Sequence, residues 1–211
     1  MATDHGSLLL LLNWMSPTFP IGSFAYSHGI EQAIADGRIR TRSDVQSWIS
    51  DLLRTGSGWN DAVLFAQCWR SNPNDLALAL AGSAERYAET TGLGRNFNIA
   101  ASVWTGEEPQ DGVMAYPVAA GLACKRMGIP RDQAVAAFLQ GLCAALVSVA
   151  VRLVPLGQTS GLEVLRNLAP LVSTIAQRAA AASLGDLGSN CIAADIASMQ
   201  HETLEPRIFR T

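Results

Sequence analysis

Pro130-Arg-Asp-Gln-Ala-Val-Ala-Ala-Phe-Leu-Gln-Gly-Leu-Cys-Ala-Ala-Leu-Val-Ser-Val-Ala-Val151 decides the fold. Its large apolar residues Val135, Phe138, Leu142, Leu146 and Val149 step by threes and fours, the spacing of one face of an α-helix. Ala136, Ala137, Ala144 and Ala145 line other faces, so neighbours can approach from several sides. Pro130 is placed to start this helix, and Pro155 with Gly157 to end or kink it. Alanine dominates the stretch, and Gln140 and Ser148 interrupt it. A central helix of a bundle is therefore expected rather than a membrane span.

The same period runs outward in both directions. Ser23 is a plausible N-cap for a helix to Asp36, with Gly37 as its stop. Ser43-x-x-Gln46 reads as a capping box opening a helix through Val45, Trp48, Ile49 and Leu52. Gly56-Ser57-Gly58 breaks the chain, a helix follows to Trp69, and Asn72-Pro73 caps the next. Thr90-Thr91-Gly92-Leu93-Gly94 reads as a bend and Thr105 to Gly112 as a polar loop. Val113 to Met127 is expected to be helical with Pro117 in its first turn. Ser160-x-x-Glu163 opens a helix from Val164 to Leu184, and Ser189 caps a last one ending near His201. The result is an all-α chain: one helical-bundle domain of about ten helices over residues 1–201. Residues 202–211 form a tail without periodicity, expected to be disordered alone and ordered by a partner.

Composition narrows the function. Of 211 residues, 49% are apolar and only 16% charged, which suits a large buried fraction or apolar surface covered by a partner. A net charge of −3 gives no electrostatic reason to bind nucleic acid. Lys125 is the only lysine, and it follows no glycine-rich loop, so the chain carries no P-loop. Cys68, Cys124, Cys143 and Cys191 are scattered in apolar helical contexts without a Cys-x-x-Cys pair. Leu8 to Leu12 is preceded by Asp4 and His5, unlike an export signal. A reducing cytoplasm without disulfides is expected.

Catalytic groupings are absent. Ser27 and His28 are adjacent and point in different directions on a helix, and no Gly-x-Ser-x-Gly elbow occurs. His28 and Glu31 would share a helix face, a pairing that is more often a hydrogen bond than a metal site; His201-Glu202 reads the same way. Trp14, Phe19, Phe24 and Tyr26 gather around Pro17 and Pro20. That suits a stiffened corner packed on the bundle, with Phe19 and Phe24 inward. Arg207, Phe209 and Arg210 have no evident core to join, and such a tail suits folding against a partner.

Four blocks carry a family likeness. Ser-Pro-x-x-Pro-x-Gly-x-Phe-x-Tyr-Ser-x-Gly-x-Glu (Ser16 to Glu31) resembles the opening signature of the UreF urease accessory proteins. Tyr116-Pro117 with Ala119-Ala120-Gly121 resembles that family's middle helix, and Val151 to Gln158 its helix-breaking segment. Ala197-Ser-Met-Gln-His-Glu-Thr203 with Arg207-Ile-Phe-Arg210 resembles its closing motif. Gln200 stands where the family often has arginine, Ser23 where it often has glycine or alanine, and the middle block lacks the histidine often found before its proline. The resemblance implies a non-catalytic all-α homodimer that bridges UreD (also called UreH) and the GTPase UreG, so that nickel reaches apo-urease. It implies no stably bound cofactor, nickel being handled indirectly through the complex. The partner-facing residues it suggests are Tyr26, Ser27, His28, Glu31, Tyr116, Gln158, Met199, His201, Glu202, Arg207, Phe209 and Arg210. The alternative reading is a small nickel carrier using His28, Glu31 and His201.

Overall fold

The computed structural model describes residues 4–109 and 111–210. Among them lie ten α-helices, two short 3-10 turns and no strand. In chain order the helices are α1 (Asp4–Trp14), α2 (Ile30–Ala35), α3 (Arg42–Thr55), α4 (Ser57–Gln67), α5 (Asn74–Ala79), α6 (Ala84–Thr105), α7 (Tyr116–Arg126), α8 (Arg131–Leu153), α9 (Gly157–Ala181) and α10 (Ile192–His201). The turns are Ser23–Ala25 and Leu184–Asp186.

The stretch that announced the fold is α8, which packs most extensively on α9 and also meets α4, α2, α3, α7 and α1. By length and hydropathy α8 could cross a membrane, but half of its most apolar window is buried inside the bundle. Its alanines permit the close approach: Val135, Leu139, Leu146 and Ala150 are all buried against neighbours. A row of rings threads the core. Trp14 and Phe19 each sit 5.6 Å from Phe97. Phe97 meets Tyr116 at 5.8 Å, Tyr116 meets Phe138 at 5.4 Å, and Phe138 meets Phe65 at 4.8 Å. These are tilted or edge-on contacts, the arrangements that aromatic quadrupoles favour. Phe19 thus packs on the core as the proline corner suggested. Phe24 does not, being 60% exposed. The four cysteines are buried and unpaired with one another.

Several boundaries differ from the sequence reading; α7 starts at Tyr116 rather than Val113, α9 ends at Ala181, α10 follows Cys191 rather than Ser189, and three further differences have a plain physical reason. The α3 cap is Thr41, not Ser43: Thr41 has the extended backbone a cap needs, its hydroxyl accepts the Asp44 amide, and the Asp44 carboxylate accepts the Thr41 amide at 2.9 Å. Helix α9 starts at Gly157 in the left-handed region (φ 73°), ahead of Ser160, and Glu163 pairs with Arg42 instead of closing a capping box. The segment around Gly92 and Gly94 does not bend; α6 runs straight through it. Gly94 is there for closeness, because a Cβ would run into the Met114 carbonyl oxygen.

The expected Ser23–Asp36 helix is also interrupted. After the first 3-10 turn, Tyr26 is extended, and His28 and Gly29 take positive φ values of 51° and 76° before α2 begins. Gly29 lets α2 lie against α10, where a Cβ would stand 3.0 Å from the Ser198 nitrogen. His28 therefore precedes the helix and does not share a helix face with Glu31. The tail differs as well: Phe209 is 4% exposed and belongs to the main core cluster. The expectation that it has no core to join is corrected. Burying such a ring contributes roughly 2 kcal/mol.

Candidate functional site

Where α2, α6, α10 and the C-terminal segment meet, the bundle encloses two knots of charged side chains. Glu31 lies in the first turn of α2 and Glu85 in the first turn of α6. His201 is the last residue of α10 and is fully buried. Its Nε2 is 3.0 Å from Glu31 Oε2 and its Nδ1 is 2.8 Å from Glu85 Oε2. Glu31 also accepts two consecutive backbone amides, from Ile208 at 2.7 Å and Phe209 at 2.9 Å. Glu85 accepts Arg207 at 2.6 Å. The Arg210 amide donates to the Ala25 carbonyl at 2.8 Å, and Glu202 accepts the amide of Ala84 at 3.1 Å. That last bond satisfies one of the orphan donors of the α6 N-terminus. Residues 202–210 thus form a strap laid across α2 and α6.

The second knot sits one turn further along α6. His28 Nε2 is 2.7 Å from Glu89 Oε1. Arg86 bridges Glu89 at 2.6 Å and Asp61 of α4 at 3.3 Å. Burial alone would raise the Glu89 carboxyl, but the Arg86 guanidinium and His28 outweigh it and bring it down to about 2. Burial holds Asp61 above its ordinary range despite Arg86. The two carboxylates in turn hold Arg86 firmly protonated against its own burial.

The structure joins Ser27, Glu31, His201, Arg207, Phe209, Arg210 and Glu202 into one region. Ser27 is buried there, its hydroxyl accepting the Glu31 amide at 3.4 Å. His28 is in the adjacent knot. Tyr26 and Tyr116 line a cleft with His28, Arg86 and Glu89, and the Tyr116 amide donates to Thr90. Gln158 stands exposed in the first turn of α9, an element in neither knot. Met199 is exposed on the outer face of α10, in line with Ile192 and Ile196. Sequence reasoning missed Glu85, Arg86, Glu89 and Asp61. The one available signal was Ser83 ahead of Ala-Glu-Arg, and its hydroxyl does cap the Arg86 amide at 3.1 Å.

The trio His28, Glu31 and His201 does not come together as a carrier site. His28 is engaged by Glu89, while Glu31 and Glu85 occupy opposite nitrogens of the His201 ring and cannot converge on one ion. Among the described residues no three His, Cys, Asp or Glu side chains are arranged to hold a metal. The carboxylates of these knots are committed to donors of the chain itself, so the arrangement ties elements together.

Fold and site define a class: an all-α bundle whose buried charges fasten its own C-terminal strap. Comparison with known proteins makes this specific. The family model described as UreF matches residues 39–169. The chain is 44% identical, over 97% of its length and 94% of the relative, to urease accessory protein UreF 1 of Brucella canis. It is 43% identical to urease accessory protein UreF of Roseobacter denitrificans, covering 100% of this chain and 96% of the relative, and 43% identical to that of Agrobacterium fabrum over the whole of both. The chain belongs to the UreF family of urease accessory proteins.

Proposed function

We propose that this protein is a non-catalytic, dimeric scaffold of urease maturation, bridging UreD/UreH and the GTPase UreG so that nickel is delivered to apo-urease. The family gives the general role. The observation that supports scaffolding is the outer face of α10 and the strap. There Ile192, Ile196, Met199 and Ile208 are exposed at 65%, 41%, 50% and 76%, next to the buried knot that fastens the strap. An apolar stripe of this kind on one face marks a contact surface. UreD/UreH docks on this face. The dimer forms through the central helices, and UreG meets a surface built from both subunits that includes Gln158 and the Tyr26–Glu31 segment, where its GTP hydrolysis is modulated. The protein works in the cytoplasm, without membrane or nucleic acid.

Mixing the purified protein with UreD/UreH and nickel- and GTP-loaded UreG, then weighing the complex by light-scattering chromatography, tests this. Two copies of the chain in one assembly are expected. Met199→Asp with Ile208→Asp, both at exposed positions, should lose UreD/UreH while circular dichroism stays unchanged. A chain that ignores both proteins would overturn the scaffold reading.

A further inference from the structure

His201 faces a carboxylate on each ring nitrogen. A neutral imidazole has one N–H and one lone pair. With both glutamates ionised, a neutral ring would satisfy one contact and set its lone pair against carboxylate oxygen at the other. Each Glu31 oxygen already accepts a strap amide, so that carboxylate is wanted ionised. Glu85 is wanted ionised too, because Arg207 donates to its other oxygen. Both distances are hydrogen-bond lengths, so each carboxylate oxygen is placed to accept a proton from the ring. With that proton the group balances: His201 and Arg207 are positive, Glu31 and Glu85 negative. Without it, one negative charge is left uncompensated in a buried place, which is costly.

We propose that the strap is a proton-operated clasp: residues 202–210 lie down on α2 and α6 with a proton held by His201 between Glu31 and Glu85, and lift when that proton is lost. The groups facing His201 can be named from every element around it. Helix α2 offers Glu31, and α6 offers Glu85, while Arg86 is turned away to Glu89 and Asp61. The strap offers Arg207 through Glu85, and Glu202 is engaged by the Ala84 amide. On α10 itself Asp195 is engaged by Ser189, and His28 next to α2 is engaged by Glu89. Among the described residues no other cation is paired with Glu31 or Glu85.

The sign follows from proton count. The docked strap binds one proton more than the lifted one wherever a free imidazole is neutral, above about pH 6.5. Docking is therefore complete on the acid side of neutrality and weakens as pH rises, by up to about tenfold in the docking constant per pH unit. Lifting uncovers Phe209, the Glu31 carboxylate and the inner side of α10, so the device sets how much of the C-terminal face is presented as an ordered surface.

The test uses the full chain, labelled with ¹⁵N, between pH 6 and 9. The amides of Ile208 and Phe209 report the docked population, and the ring nitrogens of His201 report their own protonation. Loss of the docked amide signals with rising pH, with both ring nitrogens carrying hydrogen while the strap is down, is expected. Glu85→Gln supplies the discriminating variant. Its amide can donate to a neutral ring at Nδ1 while its oxygen still accepts Arg207, so docking should become nearly independent of pH. A strap docked equally at pH 6 and pH 9 in the parent would overturn the proposal, as would a Glu85→Gln chain with unchanged pH dependence. Should Glu85→Gln undock the strap throughout, the parent's ring nitrogens decide: two N–H groups uphold the clasp and one refutes it.

Discussion

Glu89 shows how much one side chain can hold. It is 1% exposed, with His28 on one oxygen and Arg86 on the other. Its carboxyl titrates near 2 in the fold and near 4.5 when free, so its contribution is present above the free value and is lost as pH falls from about 4.5 towards 2. The shift corresponds to about 3 kcal/mol. Glu89→Gln should cost on the order of 3–5 kcal/mol at neutral pH, because Arg86 and His28 keep their burial and lose their counter-charge. It should also flatten the acid limb of the stability curve; urea unfolding at pH 7, 5 and 3 measures both. The residues of this knot were hidden in the sequence for a plain reason. Glu85, Arg86 and Glu89 on a helix look like a solvated face until the segment that covers them is placed. Glu31, His201, Arg207 and Phe209 stood out in the sequence one by one, but spacing said nothing of their meeting. The distance from α2 to the strap along the chain is too long for any periodic rule to span.

At the scale of elements, helices such as α3 and α9 were legible because each buries one stripe that repeats near 3.6 residues, whereas α4 and α7 are buried along consecutive residues. What misled was glycine. Gly92 and Gly94 look the same whether they break a helix or let another backbone approach, and the choice is made by α7, which crosses α6 here. Gly94→Ala separates the two readings. Alanine favours helix by about 1 kcal/mol, so a free helix would gain from it. Here the added methyl meets the fixed Met114 carbonyl, and a net loss on the order of 1–3 kcal/mol is expected from thermal unfolding. The break between Ser23 and Asp36 was obscured in a related way. Ser27 and His28 are set by their contacts with Glu31 and Glu89, and the strap grips the neighbouring Ala25 carbonyl, so local preference does not decide this segment.

Across the whole molecule, the core is continuous from Leu10 of α1 to Phe209 of the strap. Truncating an anchor at its edge should therefore be felt globally. Phe209→Ala removes a ring from a site built around it and should cost about 3–5 kcal/mol. In a chain of this length that corresponds to a fall in melting temperature of roughly 6–15 °C. Scanning calorimetry at pH 6, where the strap lies docked, should show one transition moved as a unit. A small early transition with the main peak unmoved would mean that the strap is held apart from the bundle. The sequence set the tail aside because ten residues with no repeat give periodicity nothing to read, although two arginines around a phenylalanine were a visible sign of anchoring.

Because the two amides that reach Glu31 stand 177 and 178 residues further along the chain, the bundle cannot finish closing until that distant segment has come back to α2. Contacts this far apart in sequence carry a large loop-closure entropy, so Glu31 and His201 wait in an unfinished groove until the strap arrives. Proteolysis between His201 and Arg207 would leave a body that has every helix and still lacks its last seal.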